Sequence, residues 1–140
     1  MIYLLDANIL IGIMEADEEV IGKFQEAISK RAKIFIDAIS YYQTKRRYLS
    51  DKNWRQLEEL EDLCKRYDVL LHDNLEIFNK AAENWAKLKK KDRKLKKGKH
   101  DADILIASNA MYLDYTVVST DEHFDFCEQM LGLKRENWKN

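Results

Sequence analysis

The chain has 140 residues, the length of one domain, with a 46% hydrophobic fraction that suffices for a packed core and a net charge of only −1. There is no proline and there are only four glycines, which argues against an all-β fold with many turns and favours long helices. Two cysteines are too few for a disulfide scaffold, and no segment reaches the ~18 consecutive apolar residues that a membrane span needs. We therefore expect one cytoplasmic domain over residues 1–140, without a membrane partner.

The first half of the chain alternates short apolar runs with segments of helical periodicity. A run of apolar residues that ends at an acid predicts a strand buried on both faces, and apolar residues at helical spacing predict amphipathic helices. Ser40 followed by Gln43 has the pattern of a capping box, so we expect a helix to begin at Ser40. In chain order the expected elements are a strand Ile2–Leu5, a short helix Ile9–Met14, a helix Glu18–Arg31, a strand Ile34–Ile36 and a helix Ser40–Tyr48.

The second half continues the same alternation. Asn74 is a suitable N-cap for a long helix that runs to about Leu88, and either Asp101 or Asp103 can open the next helix. The expected elements are a helix Asn53–Tyr67, a strand Val69–Leu71, the helix after Asn74, the helix after Asp101 or Asp103, a strand Val117–Val118 and a helix Phe124–Leu131. Short apolar strands that alternate with helices predict an α/β fold with a mostly parallel sheet.

Polar residues follow the predicted strands at one edge of this sheet. In α/β sheets ligands bind beyond the carboxyl ends of the strands. Asp6 follows the first strand, Gln43 follows the second within a turn, and Asp121 follows the fourth. Asp103 lies on the helix that leads into the fourth strand, so its side chain can face the same edge.

Carboxylates that converge on one edge raise each other's proton affinity, and a divalent cation removes that penalty. Mg²⁺ and Mn²⁺ accept oxygen ligands of this kind, and such ions activate water and neutralise charge on a phosphodiester. We see no plausible cluster of His and Cys ligands in the sequence, which argues against zinc. In the alternative interpretation, Asp6, Asp103 and Asp121 are each a helix N-cap without a functional role.

Four segments carry a family resemblance, namely Tyr3–Leu10, Asp101–Ser108, Val117–Phe124 and Leu133–Trp138. In order and over nearly the whole chain they resemble the PIN domain family, and the last is similar to the tail of VapC-type toxins. The resemblance implies a three-layer α/β/α fold, a Mg²⁺- or Mn²⁺-dependent RNA endonuclease of a toxin–antitoxin system, a cognate antitoxin protein and a homodimer.

The resemblance also assigns roles to individual positions. It implies that Asp6, Asp103 and Asp121 bind the metal, and that Asn8 and Ser119 orient the carboxylates or the attacking water. Asp101 is an additional acid, which we interpret as an N-cap or an orienting group.

Position 43 departs from the family pattern, which has a glutamate where this chain has Gln43. Either this lineage tolerates glutamine, or the chain is a variant made to weaken a toxic enzyme. The amide predicts an impaired catalytic site with Asp6, Gln43, Asp103 and Asp121 as its members. It also keeps open a second hypothesis, a catalytically silent scaffold that binds RNA or a partner protein.

A basic segment and two histidines complete the candidates. Between Lys87 and Lys99 there are nine Lys or Arg residues against one acid, Asp92, which is typical of nucleic-acid contact, although a solvated helix end has the same composition. We interpret His100 and His123 as bystanders, because metal-assisted hydrolysis needs no histidine. The lysines expected to bind RNA are Lys94, Lys96, Lys97 and Lys99.

Overall fold

The computed structural model describes residues 1–91 and 100–139, with five strands and seven helices in these ranges. The strands are β1 (Ile2–Leu5), β2 (Lys33–Asp37), β3 (Val69–Leu70), β4 (Thr116–Val118) and β5 (Arg135–Glu136). The helices are α1 (Ala7–Met14), α2 (Glu18–Ser29), α3 (Ala38–Ser50), α4 (Trp54–Arg66), α5 (Leu75–Lys91), α6 (Asp101–Leu113) and α7 (Phe124–Leu131).

The strands form one sheet in the order β3-β2-β1-β4-β5, and every pairing within it is parallel. The central strand β1 is apolar on both faces, with Leu4 and Leu5 fully buried, as expected for a parallel sheet covered on both sides. Leu5 pairs with Ile36 of β2 and with Val118 of β4, so the residues after these strands meet at one edge. The predicted α/β fold with a mostly parallel sheet is confirmed.

Two apolar cores cover the two faces of the sheet. Alternate residues of β1 point to opposite faces, which puts Leu5 in one core and Leu4 in the other. Helices α1 to α4 contribute to the core around Leu5, and helices α5 to α7 to the core around Leu4. This arrangement is the predicted three-layer α/β/α domain.

The strand order also places a crevice beside β1. The chain builds β2 and β3 on one side of β1 and then crosses to β4 and β5 on the other. Ligands bind in such sheets at the point where the strand order reverses, outside the carboxyl ends of the strands. The residues after β1 and β4 lie at this point.

One predicted helix start and one predicted N-cap are wrong. The strand β2 extends to Asp37, whose carboxylate accepts hydrogen bonds from the backbone N–H groups of Ile39 (2.8 Å) and Ser40 (3.4 Å), so α3 begins at Ala38. Ser40 therefore lies inside the helix, and the capping box with Gln43 does not form. Helix α6 begins at Asp101 with His100 in the N-cap position, so Asp101 is not an N-cap.

The sequence patterns missed strand β5. It consists of Arg135 and Glu136, which lack an apolar signal, and it is held by backbone hydrogen bonds to β4, with 3.0 Å between Val117 N and Lys134 O and 3.1 Å between Ser119 N and Glu136 O. The predicted N-cap Asn74 is confirmed, because its side chain accepts a hydrogen bond from the backbone N–H of Glu76 at 2.9 Å at the start of α5. The lysines Lys94, Lys96, Lys97 and Lys99 lie outside the described residues.

Within the described ranges, no helix combines the length and the apolar character that would let it cross a membrane.

Candidate functional site

Asp6 stands at the centre of the carboxyl edge of the sheet. Its backbone N–H donates to the carbonyl of Val118 (3.0 Å), and its side chain is almost wholly buried, with 5% of the residue exposed. Ser40 donates from Oγ to Asp6 Oδ1 at 2.9 Å, and Ser119 donates from Oγ to Asp6 Oδ2 at 2.8 Å. Asp6 precedes α1, yet its carboxylate makes no capping hydrogen bond to that helix. A simple N-cap role therefore does not account for this acid.

The environment of Asp6 has opposing effects on its ionisation. Burial raises the pKa of Asp6, because desolvation disfavours the charged form, whereas the hydrogen bonds from Ser119 and Ser40 lower it. The nearby charge of Asp121 adds to the increase. A bound cation would favour the charged form of this acid further.

Ser119 connects Asp6 with the loop that follows β4. Besides donating to Asp6, its Oγ accepts a hydrogen bond from the N–H of Asp121 at 3.0 Å and lies 3.3 Å from Asn8 Nδ2. Asn8 in turn accepts a hydrogen bond from the N–H of Thr120 at 3.2 Å. Asn8 and Ser119 thus join the β1–α1 turn to the loop that carries Asp121.

Asp103 and Asp121 meet at the imidazole of His123. The Nδ1 atom of His123 lies 3.3 Å from Asp103 Oδ2 and 3.3 Å from Asp121 Oδ1. Asp121 Oδ1 also accepts the backbone N–H of His123 at 2.9 Å, which closes a tight turn before α7. Asp103 comes from the first turn of α6, and 16% of its side chain is exposed.

Asp103 carries the clearest electrostatic signature of the site. Burial raises its pKa to about 6, and the negative charges of Asp121 and Asp6 contribute in the same direction. His123 opposes this shift through its charge and hydrogen bond. Among the described residues, His123 is the only basic side chain within ion-pair distance of Asp103 and Asp121, and none lies at that distance from Asp6. The site therefore fits a divalent cation with oxygen ligands.

No plausible cluster of His and Cys ligands is evident in the sequence, yet the fold brings two histidines together beside Asp103. One ligand atom from each of His100, Asp103 and His123 lies within 4.8 Å of the others, and the two imidazole rings pack edge to face with centroids 4.6 Å apart. The short spacing Asp121-x-His123, which allows a turn that returns the histidine to its acid, was the available signal. The pairing with His100 depends on the fold and has no such local signal.

Gln43 and Asp101 lie less directly in the site. Gln43 is half-buried on α3, one turn after Ser40, and its side chain makes no hydrogen bond to any described residue. Asp101 is exposed at the start of α6, on the rim of an apolar groove that Phe78, Trp85 and Leu105 also line. Within residues 1–91 and 100–139 its carboxylate has no hydrogen bond or ion pair.

Sequence reasoning missed a further buried carboxylate at the same edge, Asp37. It caps α3 with Oδ1, and its Oδ2 lies 2.7 Å from His72 Nε2 in a pair that is almost wholly buried. By fixing the start of α3, Asp37 positions Ser40 for its hydrogen bond to Asp6. The signal was an Asp at the end of an apolar run, as at Asp6.

Comparison with known proteins places this geometry in context. The PIN domain family model matches residues 3–126. No curated protein matches the sequence.

Solved structures with the same fold include three assemblies. VapBC2 from Rickettsia felis, bound to a DNA fragment from its promoter, has a TM-score of 0.80 and 22% identity over 99% of this chain and 100% of that chain. VapBC-1 from nontypeable Haemophilus influenzae has a TM-score of 0.77 and 23% identity, with both chains fully covered. A toxin–antitoxin complex from Klebsiella pneumoniae has a TM-score of 0.58 and 18% identity over 86% of this chain and 87% of that chain.

Proposed function

The chain belongs to the PIN domain family, and we propose from this premise that it is a divalent-metal-dependent endoribonuclease, the toxin of a toxin–antitoxin pair. The observation that carries the proposal is the convergence of Asp6, Asp103 and Asp121 at the carboxyl edge of the sheet. Ser119 Oγ donates to Asp6 Oδ2 and accepts the N–H of Asp121, and His123 Nδ1 lies 3.3 Å from both Asp103 and Asp121. Members of this family that act as nucleases generally use a divalent metal.

We assign roles to the site residues as follows. Asp6, Asp103 and Asp121 hold Mg²⁺ or Mn²⁺, and Gln43 occupies the position of a fourth ligand with an uncharged amide. When bound, the cation activates water and neutralises charge on the scissile phosphodiester. Ser40 and Ser119 hold Asp6 by hydrogen bonds, and Asn8 fixes the loop after β4. Asp101 contributes negative charge near the start of α6.

The partners follow from the same proposal. The similar structures named VapBC are complexes, and the Klebsiella pneumoniae structure is a toxin–antitoxin complex, so we propose a cognate antitoxin for this chain. We further propose a cytoplasmic homodimer formed by this single domain. RNA would contact the lysine-rich segment through Lys94, Lys96, Lys97 and Lys99.

Gln43 favours one alternative, a PIN scaffold that binds RNA or a partner protein without cleaving RNA. An amide in place of a carboxylate removes one negative charge from the cation site. The structure also leaves this amide without a hydrogen bond to the described residues, so nothing in them fixes its orientation.

Metal binding and cleavage test the two hypotheses separately. Millimolar Mn²⁺ should raise the thermal midpoint of the metal-free protein, because a ligand that binds only the native state stabilises that state. The gain in the free energy of unfolding is about 2.7 kcal/mol when the free ligand concentration is a hundred times the Kd. Asp6→Asn should abolish most of that rise. Asp51→Asn is the matched control, since it removes an exposed carboxylate at the far end of α3.

The same proteins are then incubated with end-labelled single-stranded RNA, with Mn²⁺ or with EDTA. The nuclease proposal expects slow Mn²⁺-dependent cleavage by the wild type and by Asp51→Asn, and none by Asp103→Asn. Metal binding without cleavage would favour the silent scaffold. If Mn²⁺ shifts neither the wild type nor any variant, the metal-site assignment is wrong.

A further inference from the structure

We propose that His100, Asp103 and His123 form a binding site for a transition-metal ion of the imidazole-preferring class, with Zn²⁺ as its representative. The site shares Asp103 with the carboxylate centre but adds two nitrogen ligands to it. The inference rests on the ligand geometry and does not require that the protein cleaves RNA.

The distances match those of a site that is nearly assembled. His123 Nδ1 and Asp103 Oδ2 are 3.3 Å apart, and the ligand atoms of all three residues lie within 4.8 Å of one another. In a tetrahedral zinc site with ligand distances of about 2.0–2.1 Å, two ligands are separated by about 3.3–3.4 Å. His100 supplies the third ligand atom, which lies within 4.8 Å of the other two.

The backbone of each ligand is held by regular structure. Asp103 lies in the first turn of α6, and the carbonyl of His100 accepts the N–H of Ile104 at 3.0 Å, which fixes the entry to that helix. His123 is the residue before α7, and its backbone N–H donates to Asp121 Oδ1 in the tight turn described above. The edge-to-face packing of the two imidazoles keeps them adjacent. Preorganisation of this kind lowers the cost of ordering the ligands on binding.

The site is open enough to admit an ion. All three residues are half-buried, and 37% of the His123 side chain is exposed. Asp121 Oδ1, at 3.3 Å from the same Nδ1 atom, can serve as a fourth protein ligand, or its place can be taken by water.

Ligand chemistry sets the preference of this site. Mg²⁺ favours octahedral oxygen coordination, whereas imidazole suits Zn²⁺, Ni²⁺ and Cu²⁺, and affinity rises from Mn²⁺ towards Cu²⁺ along the first transition row. We therefore expect Zn²⁺ to bind more tightly than Mg²⁺ and to compete for Asp103. The competing explanation is that His123 only forms an ion pair with the two acids.

Metal titration of the purified, chelator-treated full chain tests the proposal. Zn²⁺ and Mg²⁺ affinities are measured by calorimetry, and Co²⁺ is used as a spectroscopic probe, because imidazole coordination in a four-coordinate site gives intense visible bands. His100→Ala and His123→Ala should each weaken Zn²⁺ binding by at least about tenfold, the scale on which metal-site residues act, and change Mg²⁺ binding by less than about threefold. Glu122→Gln, at an exposed neighbour, is the control.

The wild type alone can overturn the proposal. Zn²⁺ affinity no higher than that for Mg²⁺, or a Co²⁺ spectrum without four-coordinate bands, would exclude the site. If His123→Ala fails to fold, His123→Gln takes its place, and retention of full Zn²⁺ affinity in both folded histidine variants is equally decisive. Asp6→Asn separates this site from the carboxylate centre, because it should lose the Mn²⁺ stabilisation and retain Zn²⁺ binding.

Discussion

Arg135 donates a hydrogen bond from Nη2 to the backbone carbonyl of Asp121 at 2.9 Å, so an arginine on the edge strand holds the loop that carries a site acid. Its Nε donates to the carbonyl of Ser119 at 3.2 Å, and its Nη1 pairs with Asp125 and Glu128. Only 9% of the Arg135 side chain is exposed. Two carboxylates of α7 thus neutralise the guanidinium, while its other N–H groups hold two backbone carbonyls of the loop after β4.

We expect Arg135→Met to lower the free energy of unfolding by roughly 2–4 kcal/mol, because hydrogen bonds to a charged group contribute about 1.5–3 kcal/mol and the loss leaves two carbonyls unpaired. Arg135→Lys should recover only part of this loss of stability, since an ammonium group cannot replace the several N–H donors of a planar guanidinium. Urea denaturation measures the free energy of unfolding of both variants. Lys134→Met, which breaks an exposed ion pair with Asp114, should change stability by less than about 1 kcal/mol. Equal effects at positions 134 and 135 would contradict a positioning role.

The meeting of Asp6 and Asp121 at one edge of the sheet could be predicted, because it depends on local patterns and one rule of topology. The apolar runs before Asp6 and Asp121 indicate strands, and parallel strands bring their carboxyl ends to one edge. No long-range contact needs to be known for that argument. The position of Asp103 on the helix before β4 follows from the same reasoning.

The partners of these acids could not be predicted in this way. Ser40 is 34 residues from Asp6, and its hydrogen bond depends on Asp37 being the N-cap of α3, three residues before the N-cap that the capping-box pattern indicates. His100 and His123 meet through the packing of α6 and α7, which local periodicity does not determine. Strand β5 consists of two charged residues without an apolar pattern, so only its backbone hydrogen bonds to β4 identify it as a strand.

Ser40 offers a test of how the buried acid is stabilised. Ser40→Ala removes the donor to Asp6 Oδ1, so this hydrogen bond no longer favours the ionised form and the pKa of Asp6 should rise further. We expect a loss of about 1–3 kcal/mol of unfolding free energy at neutral pH, the cost of a buried group left unsatisfied. Saturating Mn²⁺ should restore part of it.

The control for Ser40 is Ser29→Ala, which removes an exposed hydroxyl bonded to the carbonyl of Glu26 and should change stability by less than about 0.5 kcal/mol. Urea unfolding with and without Mn²⁺ provides the measurement. A Ser40→Ala protein as stable as the control would show that the hydrogen bond to Asp6 contributes nothing to the folded state.

Salt dependence tests whether the lysine-rich segment contacts RNA. For single strands, the slope of log affinity against log salt is about 0.7 per phosphate neutralised. We expect a variant with four lysines of the segment changed to glutamine to show a flatter slope and weaker binding that is independent of RNA sequence. The four positions are Lys94, Lys96, Lys97 and Lys99.

A variant of equal charge change controls for net charge. It replaces four exposed lysines elsewhere with glutamine, namely Lys23, Lys30, Lys52 and Lys65. Fluorescence anisotropy with labelled RNA at several salt concentrations gives the slopes. Indistinguishable slopes for the two quadruple variants would reduce the segment to a solubility feature.

Gln43 provides the test that separates an enzyme from a silent scaffold. Ser40 contacts Asp6, and the residue three positions later lies on the same face of α3, so we expect the side chain at position 43 to border the acid site. A glutamate there would add a fourth negative charge. Without metal, we expect Gln43→Glu to lower the thermal midpoint, because the new charge repels Asp6, Asp103 and Asp121. With metal, the same charge becomes a ligand, so the Mn²⁺-induced rise in the midpoint should be larger than in the wild type.

Cleavage should follow metal binding. Loss of a charge-stabilising group from a catalytic site commonly costs ~10²–10³ in rate, so restoring one should increase Mn²⁺-dependent cleavage of single-stranded RNA by at least about tenfold, or roughly 1.4 kcal/mol of barrier. Gln25→Glu, on the exposed face of α2, adds the same charge away from the site and should leave the rate unchanged. Equal rates for Gln43→Glu and the wild type would mean that position 43 is not a ligand in this chain. In the remaining outcome, both forms bind Mn²⁺ while neither cleaves RNA. Gln43→Glu would then have restored the missing negative charge without restoring hydrolysis. That result would favour the silent scaffold over the enzyme.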